Sequence, residues 1–189
     1  MQTKDDLIEI RIHGRGGMGV VTAAKIIAEA ALSTKKHIQA FPDYGPERGG
    51  APVRAYVKIS KKEIKSQAPI KHAEIILVLD PTLMCDEIID AVAKNSVLII
   101  NTHKSSEQLN KIYNFKGTIH TIDATGISLA LLKKDIPNTA ILGALVKTTN
   151  LFTLSTLNKT LEGSLKEKLS KEIIKANLEV AERGYKEVK

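Results

Sequence analysis

The chain has one cysteine, Cys85, no tryptophan, three phenylalanines and four tyrosines. A lone thiol excludes an intrachain disulfide and cannot by itself hold an iron–sulfur cluster or a structural zinc, so any such group is expected on another chain. His13, His37, His72, His103 and His120 are scattered without the paired spacing of a metal site and read as surface or satisfied core histidines. No apolar run reaches the roughly eighteen residues of a membrane span. The start "MQTKDDLIEI" has neither the basic opening nor the apolar stretch of a secretory signal, so the expectation is a cytoplasmic protein that engages no membrane. The few aromatics do not interleave with Lys58, Lys61, Lys62, Lys65 and Lys71, so the stacking platform of a nucleic-acid binder is missing. The net charge of +7 then reads as a solvated lysine-rich surface, although it would also attract an anionic ligand or an acidic partner.

What is present is ordinary for a folded protein. Over 189 residues, 43% hydrophobic and 26% charged content suits one domain spanning 1–189. "LIEIRIHG" (7–14) alternates like a strand and runs through "GRGGMG" into the small and aliphatic "VVTAAKIIAEAAL" (20–32), a buried helix. This strand, glycine turn and helix open a doubly wound fold. "PVRAYVKIS" (52–60) reads as a strand with one wetter side, whereas "AEIILVLD" (73–80) and "SVLIIN" (96–101) read as parallel strands covered on both faces. The spacing of 81–94 predicts a connecting helix beginning near Pro81, with Cys85 a buried thiol within it and Asp80 its cap. A strand over 117–123, helices over 124–134 and 138–149 with Asn138 as N-cap, and an amphipathic helix over 164–189 complete the pattern. The expected fold is α/β: a single Rossmann-like domain with a mostly parallel sheet flanked by helices.

Gly14, Gly16 and Gly19, with Gly17 as an extra, satisfy G-x-G-x-x-G. They either let the helix pack closely on the sheet or present backbone N–H groups to a phosphate or other anion. A nicotinamide site would need an acid at the end of the next strand, and "KKHIQAFPDYG" supplies only Asp43, beyond a proline. No G-x-S-x-G elbow is present and no catalytic constellation is visible. "FPDYGPERGGAPV" (41–53) holds three prolines and three glycines, which excludes a helix or a central strand and predicts a shaped, rigid loop.

"HGRGGMGVVTAAKIIAEAAL", "QAFPDYGPERGGAPVRAYVKIS" and "PNTAILGALVK" occur here in the order and spacing of the gamma subunits of 2-oxoacid:ferredoxin oxidoreductases, most closely the pyruvate type. The resemblance covers about residues 8–149 and is carried chiefly by the middle motif. It implies a multisubunit enzyme that oxidatively decarboxylates pyruvate with coenzyme A and passes electrons to ferredoxin, or runs in reverse, in anaerobic metabolism. A branched-chain 2-oxo acid is the alternative substrate. It further implies that this chain alone carries no cofactor and no catalytic residue, with thiamine diphosphate, magnesium and the iron–sulfur clusters on the alpha, beta and ferredoxin-like delta chains. The 41–53 loop would face a partner chain, with Arg48 first and Arg54 second as residues meeting coenzyme A or a neighbouring carboxylate. Met18 stands where the family usually has Gln, and Gly49 where it often has a second Arg. A reading of another class, a free-standing nucleotide- or anion-binding regulatory module, rests on the same glycine turn and positive charge.

Overall fold

A computed structural model describes residues 7–44, 50–90, 92–167 and 169–189. Six strands, β1 (Leu7–Arg15), β2 (His37–Tyr44), β3 (Pro52–Ser60), β4 (Ala73–Val78), β5 (Val92–Asn101) and β6 (Thr118–Ile122), form one sheet in the order β2-β3-β1-β4-β5-β6. β3 runs antiparallel to both neighbours and the pairings from β1 to β6 are parallel, so the sheet is mixed with one reversed strand. Helices α1 (Val20–Ala31), α2 (Asp86–Asp90), α3 (Ser106–Tyr113), α4 (Ala124–Leu132), α5 (Asn138–Thr149), α6 (Leu154–Leu165) and α7 (Lys171–Glu187) surround it.

The larger core lies on one face, where Ile10 and Ile12 of β1, Ala55 and Val57 of β3 and Leu77 of β4 meet α1 and α5. Isoleucine and alanine suit that layer, because branched side chains pack on a pleated surface and small ones let helices approach it. α5 is buried from Asn138 through Val146, with α4, α6 and α7 packed around it. The opposite face carries a second core, in which Ile76, Val78, Leu98 and Ile100 pack against Leu109 of α3, Ile88 of α2 and Ile70. β4 and β5 are therefore nearly continuous apolar runs because both their faces are covered.

The structure corrects several expectations. Phe41 to Tyr44 continue β2, and Pro52 and Val53 open β3, so the loop is shorter than 41–53. Its residues 45–49, including Arg48, lie outside the described residues. Most of the face expected to be wetter is buried: Tyr56 and Lys58 are 2% and 6% exposed, with Arg11 and His13 of β1 beside them at 4% and 5%, while Arg54 stays half-buried. The irregular segment 61–72 covers much of it, held by Lys58 Nζ, which donates to the carbonyls of Ser66 (3.2 Å) and Ala68 (2.9 Å), and by Arg11 reaching that of Lys71 (3.4 Å).

The helix expected over 81–94 is broken. Asp80 does cap, accepting from the Thr82 N–H, but it caps a 3-10 turn at Pro81–Leu83. α2 follows as a five-residue helix, β5 begins at Val92, and Cys85 is exposed between the turn and α2. Pro137 rather than Asn138 occupies the N-cap position of α5. The terminal amphipathic pattern is shared between α6 and α7, so that Leu165 ends α6 and Leu169 lies in the connection. α3, announced locally by its Ser105–Gln108 capping box, was not predicted.

Candidate functional site

The chain leaves β1 and β4, parallel neighbours, in opposite directions: after β1 it returns through α1 toward β2, and after β4 it continues to β5. Such a switch point opens a crevice beyond the carboxyl ends of the strands. Here it is a cleft of about 540 Å³ whose wall includes Arg15, Gly16, Met18, Asp80, Asn101 and Asp135.

Arg15 and Asp80 lie at its centre. Arg15 Nε donates to Asp80 Oδ2 at 2.5 Å, while its other nitrogens reach the Gly50 carbonyl (3.2 Å) and Thr82 Oγ1 (3.0 Å). Asp80 Oδ1 accepts from the Thr82 N–H (2.9 Å) and hydroxyl (2.7 Å). Burial works to raise the Asp80 carboxyl, but the two hydrogen bonds from Thr82 and the Arg15 guanidinium outweigh it and hold the group below its ordinary range. The guanidinium is thereby fixed in direction while remaining partly exposed to the cleft.

Asn101 closes the floor. Its Nδ2 donates to the Leu79 carbonyl and to Thr125 Oγ1, both at 2.9 Å, and its Oδ1 accepts from the Thr125 N–H at 3.1 Å. Thr125 Oγ1 in turn donates to Asp135 at 2.9 Å. Asn101→Ala is expected to destabilise the chain by about 2–3 kcal/mol, because a buried carbonyl and N–H lose their partners together. Urea unfolding of wild type and variant checks this.

Of the two roles that the sequence left open for the glycine turn, the geometry supports close packing at two of its residues. A Cβ on Gly14 would lie 2.6 Å from Val20 Cγ2, and one on Gly19, whose φ is +81°, would lie 2.3 Å from Asn138 Nδ2. These two glycines permit close packing. Gly17, at φ +98°, faces open space, and the N–H groups of Gly16 and Met18 are spent on the carbonyls of Ala51 (3.0 Å) and Arg15 (3.1 Å). α1 starts with no side-chain cap and no acid in its first turn. That leaves the positive end of its dipole available to an anion. The turn also divides two cavities: Gly17, Gly19 and Thr22 border a separate cleft of about 520 Å³ in the helical layer, walled by Leu161, Leu165 and Ile173.

Arg54 is elsewhere. It projects from the opposite sheet face, where its Nε is 3.2 Å from Asp43 Oδ2 and Tyr56 donates to the same oxygen at 3.1 Å. Burial pushes the Tyr56 hydroxyl up, and the contact with Asp43 adds to this against the charges of Arg54 and Arg11. Beside them His13 is buried with its Nε2 unpartnered among the described residues, so it is not the satisfied core histidine expected. Burial, aided by the charges of Arg11 and Arg54, lowers its pKa to about 3.

Sequence reasoning missed Arg15, Asn101, Thr125 and Asp135 as site residues. A signal was available for two of them. Arg15 sits inside the glycine turn, and Asn101 is a polar residue closing an apolar strand, the position at which the edges of such sheets carry their sites. Among the described residues no three histidine, cysteine or acidic side chains converge as a metal site.

The profile of the pyruvate ferredoxin/flavodoxin oxidoreductase family matches residues 9–187. The pyruvate synthase subunit PorC of Thermotoga maritima is 41% identical over 181 residues, covering 96% of this chain and 94% of that one. The pyruvate/ketoisovalerate oxidoreductases common subunit gamma of Thermococcus kodakarensis is 44% identical over 171 residues, covering 87% and 92%. The crystal structure of the pyruvate oxidoreductase subunit PORC from Thermotoga maritima superposes with a TM-score of 0.86 at 40% identity, covering 97% of this chain and 98% of that chain.

Proposed function

The chain belongs to the pyruvate ferredoxin/flavodoxin oxidoreductase family, and on that premise we propose that it is the gamma subunit of a multisubunit 2-oxoacid:ferredoxin oxidoreductase acting on pyruvate. The observation that carries this is the end-to-end match to a relative named as a pyruvate synthase subunit. The complex would convert pyruvate and coenzyme A to acetyl-coenzyme A and carbon dioxide, with the electrons leaving to ferredoxin, or run the reverse. Branched-chain 2-oxo acids are the second reading, favoured by the relative whose name makes one gamma subunit common to pyruvate and ketoisovalerate oxidoreductases. A subunit shared between two substrates does not choose between them, so that choice is assigned to partner chains.

The same division places thiamine diphosphate, magnesium and the iron–sulfur clusters on alpha, beta and delta subunits. The single cysteine here supports it, since a cluster needs several thiolates. This chain's contribution would be positional. The cleft at the strand ends, with Arg15 aimed by Asp80 and the uncapped start of α1 beside it, suits a phosphate-bearing substrate such as coenzyme A. Arg48 is kept as a candidate contact to coenzyme A or a neighbouring carboxylate, whereas Arg54, occupied by Asp43, suits a structural role.

The test is an anaerobic pull-down of this chain from its native extract, assaying pyruvate- and coenzyme A-dependent reduction of a viologen dye in the eluate. Co-recovery of large subunits and an iron–sulfur chain with that activity is expected. Activity with branched 2-oxo acids in the same eluate would establish the second reading, and recovery of the chain alone and inactive would overturn both.

A further inference from the structure

The two edges of the sheet are treated differently. At β6 the chain's own residue Lys189 lies alongside, and its N–H and carbonyl exchange hydrogen bonds with Thr121 at 3.0 and 3.1 Å. At the other edge lies β2, eight residues long, with nothing paired to its outer side among the described residues. An uncovered edge of that length is a template for another strand.

Which groups it offers follows from the ladder. The Glu9 N–H donates to Glu74 of β4 (2.8 Å) and the His13 carbonyl accepts from the Leu79 N–H (2.8 Å), so the odd-numbered residues of β1 direct their backbone toward β4. Ile8, Ile10 and Ile12 therefore face β3, where their partners are Ile59, Val57 and Ala55. Backbone direction alternates along an antiparallel strand, so Arg54, Tyr56 and Lys58 turn theirs toward β2. They pair there with Asp43, Phe41 and Gln39. The backbone groups of Ile38, Ala40 and Pro42 consequently point away from the sheet. Pro42, with no N–H to give, sits where the ladder needs none.

The side chains beside this edge are prepared as well. Ile38, Ala40 and Pro42 share the face that α1 covers, and α1 overhangs them. A groove of about 260 Å³ runs between, lined by Val21, Ala28 and Leu32 of the helical side and those three strand residues. Leu32 is 64% exposed. A strand added about 4.8 Å outside β2 would place every second side chain under α1. Charge selects the occupant: Lys35 and Lys36 lie in the short stretch between Leu32 and Ile38, both of which line the groove, while the nearby acids Glu29 and Asp43 are already engaged by Lys25 (3.6 Å) and Arg54 (3.2 Å). The rim is left positive.

We infer that the open edge of β2 and the groove beneath α1 receive an extended segment of a partner subunit as a seventh strand. Its apolar side chains alternate into the groove and a carboxylate lies opposite Lys35 and Lys36. This rests on the subunit reading above and specifies where one partner docks.

Backbone hydrogen exchange on the assembled complex and on the free chain tests this. The amides of Ile38 and Ala40 are expected to exchange about a hundredfold more slowly in the complex. Ala40→Pro removes an outward N–H and fixes φ, which an edge strand tolerates as it already does at Pro42, so it is expected to leave the thermal midpoint of the free chain nearly unchanged while lowering recovery of the partner subunits at least about tenfold. Equal exchange of both amides in a complex that does form would overturn strand addition and leave the subunit reading standing. Failure of the wild-type chain to assemble with any large subunit would overturn both. Protection of the same amides in a self-associated free chain would assign the edge to a second copy and overturn the proposed occupant.

Discussion

Acidification from pH 6.5 to about 4.5 is expected to remove about 2–3 kcal/mol of folding stability through His13 alone, at 1.36 kcal/mol per pH unit. The ring is neutral in the fold, its pKa lowered to about 3 by burial first and by the charges of Arg11 and Arg54 second. In the unfolded chain it titrates near 6.5. Between these values the unfolded chain binds a proton that the fold refuses, so the contribution is complete above pH 6.5 and drains away toward pH 3. Asp80 acts in the same direction: its lowered carboxyl stabilises the fold above its ordinary range, and that stability is lost as the pH falls through the folded value. Glu9 opposes both. Burial raises its carboxyl despite Lys58, so the fold favours its protonated form and gains from mild acid. Urea unfolding of the free chain across this range, repeated with His13→Phe, separates them. The variant should lose most of the pH dependence; a slope unchanged in it would mean that the acid sensitivity belongs to other groups.

The second large effect belongs to the helical layer. α5 and α7 cross so closely that a Cβ on Gly143 would lie 2.0 Å from the Ala181 carbonyl oxygen, and one on Gly184 would lie 2.1 Å from that of Ala140. Both obstacles are backbone, which cannot turn aside as a side chain can. Gly143→Ala therefore forces the helices apart and opens contacts around Val180 and Leu145, at an expected cost of about 3–5 kcal/mol. For a chain of this size the thermal midpoint should fall by roughly 10 °C. Gly163, exposed on α6 with nothing within 4 Å of the added Cβ, is the control. There the same substitution should stabilise by about 0.5–1 kcal/mol through helix propensity alone. Calorimetry on the two variants decides it, and a small cost at Gly143 would show that the interface can relax.

Much of this architecture is legible in the sequence. Ile8, Ile10 and Ile12 alternate because their neighbours along β1 face the other side of the sheet, and the runs at 73–80 and 96–101 are apolar throughout because both faces of β4 and β5 are covered. α1 and α4 were legible for a related reason, namely small and aliphatic residues filling a buried stripe. The prediction failed where local pattern and tertiary environment diverge. Residues 81–94 have helical spacing, yet Asp80 is recruited by Thr82 and Arg15 into a 3-10 turn, and β5 extends its pairing with β4 back to Val92. Polar Arg54, Tyr56 and Lys58 announced a wet face, but the segment 61–72 folds over much of it through hydrogen bonds to Lys58 and Arg11 whose partners no periodicity reveals.

The candidate site divides along the same line. Read alone, the chain determines its strand, glycine turn and helix, its family signature in "GPER" and the prolines that bar a helix or central strand over 41–53, because these depend on backbone freedom within a few residues. Only the folded sheet decides that Arg15 meets Asp80 sixty-five residues away, that Asn101 ties β5 to Leu79 and Thr125, and that Gly14 and Gly19 serve packing while α1 keeps its bare positive end. Those are contacts between strand ends. Their partners are chosen by the order in which the strands lie side by side, a property of the whole sheet rather than of any one stretch of sequence.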